Sequence, residues 1–139
     1  MNLNTIHDQL LKHEGCVLHA YEDHLGYLTI GIGRMIDKRR GGGITKDEAM
    51  FLLDADIARV VNLLRHEQGF TQFPDSVKEA LVNMAFQLGH NGVMNFTKMW
   101  AALRERDFDR AADEAMDSKW AEQTPARAYE VSEMIRRAA

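Results

Sequence analysis

Residues 13–34, "HEGCVLHAYEDHLGYLTIGIGR", decide how this chain is read. They hold two carboxylates, Glu14 and Asp23, then Thr29, with glycines at Gly15, Gly26, Gly31 and Gly33. Alternation of apolar and polar residues predicts two strands, "VLHAYED" and "GYLTIGIG", around "HLG". In the second strand Leu28, Ile30 and Ile32 alternate and are expected to form the buried face. Tyr27, Thr29, Gly31 and Gly33 then share the opposite face. Glycine weakens a strand, so its repetition here needs a reason. A face with one hydroxyl and two missing side chains is a flat floor, on which a broad polymer backbone could lie. Bulges or tight sheet twist would account for the glycines equally well.

Upstream, residues 4–14 read as a helix. Ile6, Leu10 and Leu11 mark its apolar face, Asn4 or Thr5 caps it and Gly15 stops it. Glu14 thus falls at the C-terminal end, where the helix dipole disfavours negative charge. Such a carboxyl gains nothing for the helix and suits a general acid. A solvated surface glutamate is the ordinary alternative.

Downstream, "MIDKRRGGG" (35–43) reads as a loop or short third strand, and its "RRGGG" as a turn rather than a phosphate cradle. "ITKDEAMFLLDADIARVVNLLR" follows, with Thr45 and Glu48 spaced as a capping box. The helix they open is expected from Lys46 to Arg65, roughly 30 Å at 1.5 Å per residue, long enough to join two lobes. "GFTQFPD" reads as a loop. Ser76 with Glu79 suggests a second capping box, opening "VKEALVNMAFQLG". That segment is apolar around most of its circumference and so should be a buried central helix, broken by "HNG". Shorter helices are expected near Met94–Glu105 and Phe108–Met116. A last helix should start with Thr124 as N-cap and Pro125 in the first helical position.

The class is therefore α+β, mostly helical: one domain over 1–139, with a small β-hairpin lobe at about 15–45, a connecting helix at about 46–65, and a helical lobe at about 66–139 to which the N-terminal helix is assigned. Clefts between lobes are common ligand sites.

Two polar features of the helical part stand out. Asn83 and Gln87 lie four apart and share a helix face; they could line a groove and bind amide groups, or form a satisfied core pair. Arg127 sits about three residues into the last helix, near the end where a cation is disfavoured. Glu14 and Arg127 are both of the wrong sign for their helix ends and would offset each other if they met.

Composition removes several classes. Hydrophobic residues make up 45% and charged residues 27%, enough apolar content for a real core. The net charge of -4 argues against nucleic-acid binding, which wants a basic footprint. It also gives no long-range attraction to an anionic polymer. The lone Cys16 excludes an internal disulfide and reads as a small buried residue. His19 and His24 lie near Asp23, but there is no HExxH and no Cys/His cluster, so no metal and no cofactor are expected. The N-terminal "MNLNTIHDQLLKHEG" has no basic start and no long apolar run. It predicts neither a secretory leader nor membrane insertion.

Four blocks, in order, resemble one known family. "LLKHEGCVLHAYEDHLGYLTIGIGR" is similar to the opening of the T-even phage lysozymes, the endolysins of glycoside hydrolase family 24. In that pattern Glu-Gly is followed by an Asp, a Thr and then Gly-Ile-Gly, and Glu14, Asp23 and Thr29 match in type and spacing. "GITKDEA", "LVNMAFQLGHNGVMNFT" and "WAEQTPARA" match the family's connecting helix, central helix and a segment whose arginine approaches the acid. The resemblance implies a lysozyme-like two-lobe fold and cofactor-independent hydrolysis of the β-1,4 bond between N-acetylmuramic acid and N-acetylglucosamine, for host cell lysis. Glu14 would be the general acid, and Asp23 and Thr29 would position and activate the water. Gly31, Asn83, Gln87 and Thr124 would touch substrate or line the groove, and Arg127 would orient Glu14. Partners would be peptidoglycan glycan strands and a holin-like membrane protein that releases a monomeric enzyme from the host cytoplasm to the cell wall. The sequence departs from the family at Arg34, where histidine is usual. It departs again in the short run from Arg34 to Gly43, which should trim one groove wall, and in a C-terminus that ends soon after "MIRRAA". Two rival readings are a non-catalytic peptidoglycan-binding module on the same fold, and a bacterial or prophage autolysin with the same chemistry.

Overall fold

The computed structural model describes residues 1–36 and 42–139. Most of the "RRGGG" turn and of the expected trimmed wall lies outside the described residues. By its contacts the chain divides into two units, Met1–Phe51 and Leu52–Ala139.

The first unit opens with α1 (Leu3–Glu14). Its cap is Asn2, two residues earlier than the sequence suggested: the Asn2 side-chain oxygen accepts from the N–H groups of Asn4 and Thr5. That satisfies two of the N–H groups a helix start leaves unpaired. Gly15 ends the helix at φ 71, its N–H donating to the Leu11 carbonyl at 3.0 Å. No side chain of α1 is buried; Ile6, Leu10 and Leu11 are all exposed. Cys16, expected inside, is exposed too.

A three-stranded antiparallel sheet follows, β1 (Val17–Glu22), β2 (Leu28–Gly31) and β3 (Arg34–Met35), in that spatial order. β1 pairs with β2 through Tyr21↔Thr29 and Glu22↔Leu28, and the register shifts before Val17↔Gly31. The buried residue of β2 is not one of those expected, and Ile30 is only half-buried. Thr29 is 3% exposed, whereas Leu28 is 46% and Ile32 44% exposed. Ile32 and Gly33 lie beyond the strand, and Gly31 and Gly33 take φ of 70° and 71°. Gly31 closes β2 opposite Val17, and Gly33 lies in the turn that follows; positive φ at both ends the regular alternation there.

α2 (Lys46–Leu64) runs across the boundary between the units and is one residue shorter than expected. Its capping box forms: Glu48 N–H donates to Thr45 Oγ1 at 3.1 Å, and Thr45 N–H to Glu48 Oε1 at 2.9 Å. Arg34 forms an ion pair with the same Glu48 carboxylate.

The second unit holds the core. A 3₁₀ turn (Phe70–Gln72) appears where a plain loop was expected. Then come α3 (Asp75–Met94), α4 (Thr97–Arg104), α5 (Phe108–Met116), α6 (Lys119–Gln123) and α7 (Pro125–Arg136). The second capping box does not form. Pro74 occupies the cap position and its carbonyl accepts from Val77 and Lys78, which draws Ser76 inside the helix. α3 is buried as expected, with Val77, Ala80, Leu81, Met84 and Ala85 inside. It breaks at Gly89 (φ 79, ψ 164) rather than at the following "HNG", and helix resumes to Met94. Trp100 anchors the core: its ring lies 6.2 Å from Phe73 and its Nε1 donates to the Val93 carbonyl at 3.0 Å. Arg136 ties α7 to α5 through Asp113 at 2.8 Å and also bonds Glu133 on its own helix at 3.1 Å. Those bonds, Asp113 first, hold its pKa above the ordinary arginine value.

Candidate active site

The three residues expected to do chemistry all lie in the first unit. Glu14 is the last residue of α1 and is exposed. Its side chain rests on Gly33: a methyl added there would sit 2.7 Å from Glu14 Oε2 and 2.8 Å from its carboxyl carbon. So one of the glycines that prompted the idea of a floor does clear space, but for the Glu14 carboxylate.

Asp23 follows β1 and shapes the hairpin. Its Oδ1 accepts from Leu25 N–H at 2.9 Å and Tyr27 N–H at 2.8 Å. Its own N–H donates to the Tyr27 carbonyl at 2.8 Å, and its carbonyl accepts from Gly26 N–H. Short aspartates favour such turns because the carboxylate can stand in for backbone acceptors. Thr29 Oγ1 donates to that same Tyr27 carbonyl at 2.9 Å. Asp23 and Thr29 are therefore locked to one residue, Tyr27. Thr29 is also the single buried residue among those described in the first unit. With its hydrogen committed to Tyr27, the Thr29 oxygen keeps lone pairs that can accept from a water.

The second unit carries the other expected residues in two clusters. Arg127 on α7 donates through Nε to Asn83 Oδ1 at 2.9 Å and through a terminal nitrogen to the Asn83 carbonyl at 3.3 Å. Both side chains line a groove of about 540 Å³ with Leu53, Ile57, Val61, Phe70, Val82 and Phe86. Gln87, one helical turn on, accepts instead from Trp120 Nε1 at 2.9 Å. Thr124 precedes α7 as expected, but its hydroxyl does not cap the helix; it donates back to the Trp120 carbonyl at 3.0 Å. Gln87 and Thr124 thus meet at Trp120.

Three residues have roles in the structure that the sequence does not reveal. Trp120 was inside a quoted motif, and as one of two tryptophans with an indole N–H needing a partner it could have been paired with a nearby amide. Tyr27 acts through its backbone, which leaves no trace in side-chain type. Gly33 was noticed, but its partner could not be. Among the described residues no group of three or more His, Cys, Asp and Glu side chains could hold a metal, and no helix is long and apolar enough to cross a membrane.

A short helix ending at Glu14 before Gly15, a small sheet holding Thr29 with Asp23 in its first hairpin turn, and a helical core define a lysozyme-type α+β protein. Residues 11–139 match the profile of the phage lysozyme family, and the chain belongs to that family. It is 31% identical to the pre-baseplate central spike protein Gp5 of Enterobacteria phage T4, over 92% of this chain but 27% of that protein. It is 28% identical to the probable T4-type lysozyme 1 of Dictyostelium discoideum, over 96% of this chain and 94% of that one. The peptidoglycan hydrolase gp36 of Pseudomonas phage phiKMV is 28% identical over 86% of this chain and 14% of its own length.

Proposed function

We propose that the chain is a lysozyme-like peptidoglycan hydrolase, and specifically a muramidase that cleaves the β-1,4 bond between N-acetylmuramic acid and N-acetylglucosamine with inversion. The observation that carries this reading is the shared anchoring of Asp23 and Thr29 on Tyr27. Two oxygens fixed on one residue form a rigid holder for a nucleophilic water, which is what an inverting glycosidase requires of its second carboxylate. Glu14 donates the proton to the leaving oxygen. Asp23 takes a proton from the water, and Thr29 accepts a hydrogen bond from it. Gly31, Asn83, Gln87, Thr124 and Arg127 supply substrate contacts. Membership of the phage lysozyme family and the printed names of the relatives support the reading.

The test is lysis of Gram-negative cells with permeabilised outer membranes, read as turbidity and as newly formed reducing ends. The parent should clear the suspension. Glu14→Gln, nearly isosteric but unable to act as an acid, should bind walls and release no reducing ends. Substantial lysis by Glu14→Gln would remove Glu14 from its role; wall binding without hydrolysis by the parent would favour a binding module. NMR of the first product, before mutarotation, should show the α-anomer, because a β-anomer would mean direct attack by Asp23.

A further inference from the structure

We infer that the turn at Gly33, braced by the Arg34–Glu48 ion pair, is the device that positions the Glu14 carboxylate; this rests on the reading of Glu14 as the acid. Among the described residues of its own unit Glu14 makes no hydrogen bond or ion pair, and its side chain is exposed. A flexible carboxylate with no polar partner would sample many directions, and general acid catalysis needs one. What restricts it is contact with Gly33, whose missing side chain leaves room that Glu14 Oε2, Cδ and Cγ occupy at 2.7, 2.8 and 3.1 Å from a notional methyl.

The seat is itself held. Ile30 pairs with Arg34 and Thr29 with Met35, so Gly31–Ile32–Gly33 is the connection between β2 and β3. β3 has two residues, extended by one bond from Ile36 N–H to the Leu28 carbonyl, a short pairing to hold the turn by itself. Arg34, immediately after Gly33, reaches Glu48 in the first turn of α2, and Glu48 also accepts the Thr45 N–H. The chain of contact runs from the α2 cap through Glu48 and Arg34 to Gly33 and the acid. The same hairpin carries Thr29, so acid seat and water holder share one frame. An exposed ion pair adds little to stability; here its effect is geometric. Gly33 and Arg34 are thus positioning residues for the acid step.

Four variants test this, each checked for fold by circular dichroism: Gly33→Ala, Arg34→Met, Arg34→Lys and, as the control on the acid, Glu14→Gln. Two readouts are taken: kcat and KM on soluble peptidoglycan fragments across pH, and the ¹³C titration of the Glu14 carboxyl, which needs no activity. A shift of about 1 Å in a catalytic group can cost on the order of 10²-fold in rate. Gly33→Ala should lose about that in kcat with KM nearly unchanged, and should move both the Glu14 titration and the pH limb that reports it. Arg34→Met should lose about tenfold with a smaller move of the same kind, and Arg34→Lys should recover most of the loss. If folded Gly33→Ala keeps the parental kcat and Glu14 titration, the inference is overturned. Should Gly33→Ala fail to fold, the arginine pair decides: parental behaviour in Arg34→Met overturns it. Inactive Glu14→Gln beside fully active Gly33→Ala would sink the positioning role alone, whereas active Glu14→Gln would sink the acid assignment.

Discussion

Thr29 concentrates the residue-scale chemistry. Its hydroxyl is buried, yet the Tyr27 carbonyl it bonds already accepts from Asp23 N–H. Removing the hydroxyl therefore leaves that carbonyl with a donor, and the stability cost should be about 1 kcal/mol, the net worth of an ordinary hydrogen bond. Catalysis should suffer more, since base-assisted activation of a water is worth at least about 10²-fold. Thr29→Val should lose about that factor in kcat with a small drop in melting temperature, while Thr29→Ser, which keeps the oxygen, stays within about tenfold of the parent. Turnover and thermal melts on both variants check it. A fully active Thr29→Val would show that the hydroxyl serves the hairpin and not the water.

Among the elements, α3 shows most clearly how local conformation overrides propensity. Gly89 sits at φ 79, ψ 164 in what would otherwise be a continuous helix, and a methyl added there meets nothing within 4 Å. The constraint is purely one of backbone. In a regular helix Gly→Ala would stabilise by about 1 kcal/mol. At these angles, which only glycine adopts readily, a side chain costs about 1–3 kcal/mol. Gly89→Ala should therefore lower stability, measured by denaturant unfolding, and a stabilised variant would mean that α3 straightens. The break also separates the stretch bearing Asn83 and Gln87 from the residues after it.

At the scale of the whole molecule, charge bears on how the proposed hydrolase would meet an anionic wall. With a net charge of -4, it has no long-range pull toward an anionic wall, and local contacts must supply the binding. Salt shortens the reach of the remaining repulsion to about 8 Å at physiological ionic strength. Raising salt moderately from a low starting level should leave lysis rates unchanged or increase them, as followed by turbidity at several ionic strengths. A steep fall would point to a basic docking patch. Glu14, Asp23 and Thr29 are built by residues 1–51, and the Asn83–Arg127 and Gln87–Trp120–Thr124 clusters by residues 52–139.

What the sequence by itself determined was local in origin. The Thr45–Glu48 capping box, the glycine stop after Glu14, the apolar girth of α3 and the proline start of α7 are each encoded within a few residues, and each is found in the structure. The order of Glu14, Asp23 and Thr29 was equally legible, because chemistry at fixed spacing survives in a linear string. Only the tertiary structure decided what those residues touch. Period-two alternation placed Leu28, Ile30 and Ile32 inside, but Thr29 is the buried residue of β2, Leu28 and Ile32 are exposed, and Ile32 lies beyond the strand. Likewise Ser76 lost its capping role to Pro74, and Thr124 turned its hydroxyl back to Trp120. Glu14 found its place on Gly33, nineteen positions along the chain. Hydrogen bonds and close contacts between distant segments depend on register and backbone angles that no short window contains, and that is why this part of the site had to be seen in three dimensions.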